Sequence, residues 1–336
     1  MGFTPSYKKI TEIEFSERIE IADKILQSCT SCPRNCFVNR TNGEFGTCQS
    51  GANPIVSSYT LHFGEEPVLS GTKGAGNIFF GNCNLRCVYC QNFVISQNPG
   101  VERKNEVSVD RLAEIMLELQ KQGSHNIGLV SPTHFAVPIL KSIFIASQSG
   151  LNIPIIYNTN GYDSVEVLKL YKDVIDIYLP DFKYGSNENG RIYSKATDYF
   201  DKAKSAIKEM YNQVGSELVY ENGLVVRGLI IRHLILPNDL SETEEVFKFI
   251  AEELDKKVHI SLMTQYYPTN RAEKHILINR TIRYGEFMRA VELLDKYGLE
   301  NGWMQELESS EYYRPSFESS RKDPFNNKKL IKDIMN

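Results

Sequence analysis

The sequence predicts an α/β fold, a partial (β/α)6 TIM-like barrel preceded by an N-terminal cysteine-rich metal-binding module. Three observations support this prediction. From residue 77 onward, six short apolar runs rich in β-branched residues alternate with segments of helical periodicity, the pattern of β/α units around a parallel sheet. All seven cysteines fall between Cys29 and Cys90. The length of 336 residues is sufficient for one large barrel with an added module.

The predicted strands cover residues 77–82, 126–130, 153–157, 174–179, 225–236 and 258–263. The helix between the first two strands has clear boundaries, because Ser108 can cap its N-terminus and Gly123 can end it. Similar helical patterns follow the later strands. Right-handed crossovers would close these units into a partial barrel whose functional site lies at the C-terminal ends of the strands.

Three parts of the chain are expected from this pattern. Residues 1–70 lack the β/α alternation and form the cysteine-rich module, residues 71–305 form the barrel, and residues 306–336 form a charged and aromatic tail. The tail carries Tyr312, Tyr313 and Phe317. We expect it to wrap the barrel or to stay partly mobile.

Composition narrows the class of protein. Apolar residues make up 41% of the chain and charged residues 24%, with a net charge of -4, which argues against a nucleic-acid partner. The N-terminus has no apolar run of the kind that marks a signal peptide. Arg227, Arg232 and His233 interrupt the best candidate for a membrane span. These features predict a cytoplasmic protein without a membrane partner.

The cysteines favour metal ligation, because a disulfide framework would need an oxidising compartment and would leave one of the seven unpaired. Directly after the first predicted strand, Cys83, Cys87 and Cys90 form a C-x3-C-x2-C loop. Three thiolates can hold three irons of a cubane cluster and leave the fourth iron open to a ligand. A tetrahedral zinc site is the alternative, but such sites are normally closed by a fourth ligand. We therefore assign Cys83, Cys87 and Cys90 as the catalytic cluster ligands.

This loop resembles the signature of the radical S-adenosylmethionine (SAM) superfamily, in which an aromatic residue, here Tyr89, precedes the third cysteine. The resemblance covers about residues 71–305. It implies a radical SAM barrel, a [4Fe–4S] cluster, and reductive cleavage of SAM to methionine and a 5′-deoxyadenosyl radical. It also implies a one-electron donor such as flavodoxin or ferredoxin.

Several strand ends are similar to those of the activating enzymes for glycyl-radical enzymes. The third predicted strand leads into a Thr-Asn-Gly turn, and the fourth leads into an Asp-x-Lys motif whose charged groups meet the carboxylate and amine of SAM. Segments 32–36 and 64–67 are similar to those of a widespread group of proteins related to the pyruvate formate-lyase activating enzyme. The SAM contacts implied by the strand ends and by the aromatic position are Tyr89, Asn158, Thr159, Asn160, Asp181, Lys183, Arg232, His233 and Gln265.

One departure from this family follows the second predicted strand. The family's Gly-Gly-Glu, which binds the SAM amino group, is replaced here by a segment that includes Ser131, Thr133 and His134. Hydroxyls, backbone carbonyls or the imidazole of this segment are then expected to take over that role. Non-functional alternatives exist for other residues as well: Asp181 and Lys183 could form a solvent-facing ion pair, and a buried histidine such as His233 is often only a hydrogen-bonded part of a barrel.

A second group of cysteines, Cys29, Cys32, Cys36 and Cys48, supplies enough thiolates for a closed tetrahedral site or an all-cysteine cubane. Zinc would act as a structural clip for a segment too small to fold unaided. A second [4Fe–4S] cluster would act as an electron relay or a substrate-binding site. Metal-free thiols are a third option, and the spacing alone does not decide between the metals.

The leading hypothesis from the sequence is a radical SAM enzyme that abstracts hydrogen from a protein or peptide, such as a glycine of a partner enzyme. A radical SAM enzyme acting on a small metabolite is the alternative. A non-catalytic iron–sulfur electron carrier is a third hypothesis, although a carrier has no need of an open iron.

Overall fold

The computed structural model describes residues 2–307, 315–317, 321–322 and 324–325. Phe317 of the tail lies within these residues, whereas Tyr312 and Tyr313 lie outside them. The strands are β1 (Val56–His62), β2 (Ala75–Phe80), β3 (Ile127–Val130), β4 (Ile155–Thr159), β5 (Ile177–Pro180), β6 (Val219–Glu221), β7 (Leu224–Leu234), β8 (His259–Met263) and β9 (Gly302–Met304).

The α-helices surround this sheet. They are α1 (Glu12–Gln27), α2 (Pro67–Ser70), α3 (Phe93–Ser96), α4 (Pro99–Glu102), α5 (Val109–Lys121), α6 (Ala136–Gln148), α7 (Val165–Leu170), α8 (Asn187–Ser194), α9 (Tyr199–Val214), α10 (Thr243–Phe249) and α11 (Tyr284–Tyr297). None of the helices in the described residues has the length and apolar composition needed to cross a membrane.

The sheet is that of an open, partial barrel. Its strand order is β1-β2-β3-β4-β5-β7-β8-β9, with β6 paired to β7. The pairs from β2 to β9 along this order are parallel, whereas β1 is antiparallel to β2 and β6 is antiparallel to β7. The α/β prediction is confirmed, and the six predicted strands correspond to β2, β3, β4, β5, β7 and β8.

Strand β2 ends at Phe80, two residues before the predicted end. Asn82 adopts a left-handed conformation with φ of 63°, which turns the chain away from the strand direction. The turn comes directly before Cys83. The cysteine loop therefore begins at the rim of the barrel.

Strand β1 was not predicted. It lies within the segment 1–70, yet it pairs with β2 along most of its length, from Val56 opposite Phe80 to His62 opposite Ala75. Its residues 57, 58 and 60 are polar, so the sequence does not show the alternation that indicates a half-buried strand. The N-terminal segment thus contributes a strand to the sheet as well as the four cysteines.

The helices form where their caps and apolar faces predict. The hydroxyl of Ser108 accepts a hydrogen bond from the backbone of Arg111 at the start of α5, and Gly123 follows the helix with φ of 95°. A capping box between Thr11 and Glu14 begins α1. Phe15 of α1 is buried, and its ring centroid lies 5.1 Å from that of Phe144 on α6. This contact joins the N-terminal helix to the outside of the barrel.

Candidate active site

A cavity of about 220 Å³ opens at the C-terminal ends of the parallel strands. Its walls come from loops that are distant in sequence but adjacent around the barrel rim. The predicted residues that line it are Cys83, Cys87, Tyr89, Cys90, Ser131, Asn158, Thr159, Asn160, Asp181, Lys183, Arg232 and Gln265. The structure therefore brings the cysteine loop and most of the expected SAM contacts to one site.

The sulfur of Cys83 accepts two hydrogen bonds at the start of the cysteine loop. The backbone N–H of Leu85 and the side-chain amide of Asn160 each donate to it over 3.4 Å. Asn160 also donates to the side chain of Asn84 over 2.8 Å. The turn after β4 therefore holds the first cysteine and its neighbour in place.

The other two cysteines of the loop each contact a serine hydroxyl. The hydroxyl of Ser194 donates to the sulfur of Cys87 over 2.9 Å, and that of Ser96 lies 3.2 Å from the sulfur of Cys90. Hydrogen bonds to cysteine sulfurs are among the features that set the potential of an iron–sulfur cluster. All three cysteine side chains thus have polar neighbours suited to a metal-bound thiolate.

The protonation of these thiols also bears on metal binding. Burial raises the pKa of Cys83 to about 12, and burial together with the neighbouring Cys87 raises that of Cys90 to about 11. A metal must therefore displace a proton from each of these two thiols when it binds. All seven cysteines are free, with no disulfide between any of them.

Tyr89, the aromatic residue before Cys90, is buried beneath the loop. Its hydroxyl donates to the hydroxyl of Tyr184 over 2.7 Å, and its ring meets that of Tyr266 edge to face at 5.6 Å between centroids. These contacts hold the peptide between Cys87 and Cys90 against the barrel interior.

A network of charged side chains occupies the opposite wall of the cavity. Asp181 accepts from Lys183 over 2.6 Å and from Arg232 over 2.8 Å. Arg232 also reaches Glu65 at 3.3 Å and donates to the side-chain oxygen of Asn158 over 2.6 Å. The side chains of Lys183 and Asp181 are only 14% and 18% exposed, so they form a largely buried pair and not a solvent-facing one.

Electrostatics keep this network ionised. Burial would raise the pKa of Asp181, but the attraction of Arg232 and Lys183 outweighs it and holds that pKa below its ordinary value. Burial by itself would lower the pKa of Lys183, but the negative charge of Asp181 outweighs burial and raises that pKa above its ordinary value. The site therefore presents two fixed cations and fixed carboxylate charge at the same rim.

Glu65 is a cavity residue that the sequence argument did not assign. It follows β1, and its carboxylate accepts from the side chain of Asn77 over 2.8 Å as well as pairing with Arg232. The signal available in the sequence was the segment 64–67, which took part in the resemblance but was given no role. Glu65 brings a second acidic side chain into the cavity.

Three predicted SAM contacts, Thr133, His134 and His233, lie outside the cavity lining. Thr133 donates to Asp163 over 2.7 Å, behind the end of β3. The ring of His233 lies between the carbonyl of Phe182 at 2.7 Å and the hydroxyl of Thr243 at 3.0 Å. Burial lowers the pKa of His233 to about 4, so it is a neutral, hydrogen-bonded histidine of the barrel.

His134, the third of them, is one of the residues that line a separate narrow recess, together with Cys29, Cys32, Cys36 and Cys48. Its Nε2 lies 2.8 Å from the carbonyl oxygen of Gly81. Within the described residues, no three Cys, His, Asp or Glu side chains converge closely enough to be ligands of a single metal ion. The fit of either cysteine group to a metal therefore depends on its donor set and its surroundings.

Comparison with known proteins identifies the family. Residues 77–220, which include the cysteine loop and the Asp181–Lys183 pair, match the family model of the radical SAM superfamily. An uncharacterized protein of Methanocaldococcus jannaschii, MJ0674, is 36% identical over 292 residues, which cover 84% of this chain and 79% of that protein. A second uncharacterized protein of the same organism, MJ0808, is 25% identical over 259 residues, covering 71% of this chain and 70% of that one.

Two solved structures were also found to be similar. HydG, a maturase of the [FeFe]-hydrogenase, aligns with a TM-score of 0.44 and 14% identity over 88% of this chain. The alignment covers 63% of HydG, which is less than two thirds of its length. Methylornithine synthase (PylB) aligns with a TM-score of 0.45 and 12% identity over 97% of this chain and 89% of its own. From the family match, the related sequence and the cysteine loop on its barrel, we conclude that the chain belongs to the radical SAM superfamily.

Proposed function

We propose that this radical SAM enzyme binds a [4Fe–4S] cluster through Cys83, Cys87 and Cys90 and takes a hydrogen atom from a protein or peptide substrate. The observation that carries the proposal is the shared cavity. The cysteine loop and the charged group of Asp181, Lys183 and Arg232 line one space at the C-terminal ends of the strands.

The cysteine arrangement leaves one coordination position for a ligand. Three thiols of the chain line the cavity, and the other four line the separate recess. No cysteine is left to complete a fourth position. With SAM bound there, the cluster supplies one-electron cleavage of SAM to methionine and a 5′-deoxyadenosyl radical that abstracts hydrogen.

The charged network matches the two ionic groups at the methionine end of SAM. Lys183 and Arg232 provide cations for the carboxylate, and Asp181 and Glu65 provide anions for the amino group. Because the four side chains already hold one another in place, they need little reorganisation when SAM binds. Ser131 and Asn160 add polar groups to the same lining.

The class of substrate is proposed from the resemblance. The cavity opens at the C-terminal ends of the strands, where a segment of a partner protein can present a C–H group to it. A glycine of a partner enzyme is the candidate suggested by the resemblance to glycyl-radical activating enzymes.

The proposal includes a one-electron donor of the flavodoxin or ferredoxin class, because reductive cleavage of SAM consumes one electron. We also propose a reducing compartment such as the cytoplasm, since seven free thiols would not persist in an oxidising one.

Deuterium transfer tests the proposal. Anaerobic enzyme is incubated with SAM, dithionite and either deuterium-labelled candidate proteins or deuterium-labelled metabolites, and 5′-deoxyadenosine is analysed by mass spectrometry. We expect label from a protein to appear in 5′-deoxyadenosine. Label from a metabolite instead would support the small-molecule alternative.

The control is the variant in which Cys83, Cys87 and Cys90 are all changed to Ala, which should release no 5′-deoxyadenosine. Cleavage by that variant would refute the cluster assignment. If the wild-type protein with a full complement of iron produced no 5′-deoxyadenosine at all, the hypothesis of a non-catalytic electron carrier would replace that of an enzyme.

A further inference from the structure

The recess lined by Cys29, Cys32, Cys36 and Cys48 is distinct from the active-site cavity. In the part of the chain that the structure describes, no residue lines both spaces. Cys29, Cys32 and Cys48 are buried, and Cys36 is partly exposed. A centre held here would not contact a substrate in the cavity, so the substrate-binding role considered for it is disfavoured by position.

The loop that carries these cysteines is built compactly. Cys29 donates its backbone N–H to the carbonyl of Val38 over 2.9 Å, and its own carbonyl accepts from Phe37 over 3.1 Å. The backbone N–H of Thr47 donates to the sulfur of Cys36 over 3.4 Å. A side-chain carbon at Gly46 would lie 2.7 Å from that same sulfur, so only glycine allows this approach.

A buried cation lies beside the recess. Arg40 is 2% exposed, and its guanidinium donates to the carbonyl oxygens of Gly51 and His134. Its Nη1 lies 3.9 Å from the sulfur of Cys29, and its guanidinium carbon lies 5.7 Å from the ring centroid of Phe135. Among the described residues, no carboxylate forms an ion pair with it.

A buried guanidinium without a counter-charge is unfavourable, and carbonyl dipoles offset its charge only in part. Four thiolates bound either to Zn²⁺ or to a [4Fe–4S] cluster in its oxidised form keep a net negative charge. Such a centre would provide the missing counter-charge for Arg40. Four neutral thiols would not.

His134 lies between the recess and the active-site loop. Its carbonyl oxygen accepts from Arg40, and the Nε2 of its ring lies 2.8 Å from the carbonyl oxygen of Gly81. Because a carbonyl can only accept, this Nε2 carries the proton, and the buried Nδ1 is an acceptor without a hydrogen-bond partner among the described residues. An acceptor cannot bond to a thiolate, so Arg40 is the residue that indicates an anionic centre.

The recess is also tied to the cysteine loop of the active site. Asn82 donates to the carbonyl of Gln49, next to Cys48, over 3.1 Å. Arg34, between Cys32 and Cys36, donates to the carbonyl of Asn84 over 3.0 Å. Asn82 and Asn84 are the two neighbours of Cys83, so the ordering of the recess is transmitted to both sides of that ligand.

We propose that Cys29, Cys32, Cys36 and Cys48 hold a second thiolate-ligated metal centre, charge-balanced by Arg40, that positions the loop carrying Cys83. The chemistry shared by the two candidate occupants, zinc and an iron–sulfur cluster, is an anionic tetrathiolate site. The centre is separate from the proposed radical chemistry, and either hypothesis can fail without the other.

Metal content tests the proposal directly. In anaerobically purified wild-type protein we expect either about eight irons per chain or about four irons with one zinc. Cys32→Ala should lose the second metal completely and keep about four irons. Wild-type protein with about four irons, no zinc and four titratable thiols would overturn the proposal, whatever the variants do.

Arg40→Met and Arg40→Lys separate charge from packing. The Met variant should retain less than about half of the second metal, because loss of a buried charge partner lowers the affinity for the metal severalfold. The Lys variant keeps the positive charge and should retain more of the metal than the Met variant. Arg289→Met, whose side chain is 59% exposed on α11, is the control for loss of an arginine. Full retention of the metal by Arg40→Met would refute the charge-balancing role.

Hydrogen exchange tests the positioning role without any measurement of activity. Amides of residues 82–90 should exchange at least about tenfold faster in Cys32→Ala than in the wild type if the second centre holds this loop. The Arg289→Met control should show wild-type exchange there. Unchanged exchange in a Cys32→Ala protein that has lost its second metal would show that the centre does not position the loop.

Discussion

The hydroxyl of Ser194 donates a hydrogen bond to the sulfur of Cys87 over 2.9 Å. The same hydroxyl lies 2.7 Å from that of Tyr184, which in turn accepts from Tyr89. A continuous chain of hydrogen bonds thus runs from the aromatic residue before Cys90 to the sulfur of Cys87. It connects the end of α8 to the cysteine loop through the barrel interior.

This contact predicts that Ser194→Ala lowers the reduction potential of the cluster. A hydrogen bond to a thiolate stabilises the more negative, reduced state, so its loss makes reduction harder. If the hydrogen bond is about 1 kcal/mol stronger in the reduced state than in the oxidised state, its loss lowers the potential of a one-electron couple by ~40 mV. Potentiometric titration followed by electron paramagnetic resonance gives the value. Ser142→Ala, a buried serine bonded only to backbone carbonyls, is the control, and an equal shift in both variants would contradict the prediction.

Lys183→Met should weaken SAM binding by roughly tenfold or more, since about 1.4 kcal/mol of lost ion pairing is a factor of ten. Iron content should not change, because Lys183 contacts Asp181 and no cysteine sulfur. Calorimetric titration of anaerobic protein with SAM measures the affinity. Lys169→Met, whose exposed ion pair with Glu166 lies on α7, should bind SAM normally. Wild-type affinity in both Lys183→Met and Asp181→Ala would show that this pair is structural.

Glu65→Gln should also reduce SAM affinity, by about three- to tenfold, because it removes an anion facing the amino group while keeping an acceptor for Asn77. The effect should shrink for a SAM analogue that lacks the amino group, and that difference identifies the interaction. Glu166→Gln on the protein surface serves as the control. An equal loss for SAM and for the analogue would instead indicate a general disturbance of the Arg232 network.

Stability should depend on pH through Asp163. Burial raises its pKa to about 6, even though Thr159, Thr133 and Tyr157 donate hydrogen bonds to it. Because the folded pKa exceeds the unfolded value of about 3.9, the contribution to stability is complete below about pH 4 and is lost as the pH rises through about 6.

The shift of the Asp163 pKa from 3.8 to about 6 corresponds to a full loss of about 3 kcal/mol in the free energy of unfolding. Asp163→Asn lacks this titration, so wild type and variant should differ in the pH dependence of their urea-unfolding free energies between about pH 4 and 6. Asp110→Asn, at the exposed start of α5, is the control for loss of a carboxylate. A wild-type curve parallel to that of Asp163→Asn would contradict the assignment.

The parallel strands could be read from the sequence because each is a short apolar run bounded by turns and followed by helical periodicity. Strand β1 could not, since Ser57, Ser58 and Thr60 interrupt its pattern and it is stabilised by pairing with β2. An antiparallel strand at the edge of a sheet needs only one apolar face. Its local sequence therefore carries a weaker signal.

Among the site residues, Asn158, Asp181 and Arg232 were predictable because the ends of neighbouring parallel strands must meet at one rim. Thr133 and His233 were placed at the same rim by sequence position, yet neither lines the cavity. A buried carboxylate bonds to Thr133, and the carbonyl of Phe182 holds the ring of His233. Such partners are contributed by remote segments, and a linear pattern does not show them.

The sequence by itself determined the α/β architecture, the cysteine loop of a radical SAM protein and the polar strand ends, because these depend on local spacing and periodicity. Only the tertiary structure decided that Glu65 joins the Arg232 network, that His134 lies at the recess of the four N-terminal cysteines, and that Arg40 is buried beside them. Each of these depends on where a side chain finds its partner after the barrel has closed. That choice is made by packing and charge between residues far apart in the chain.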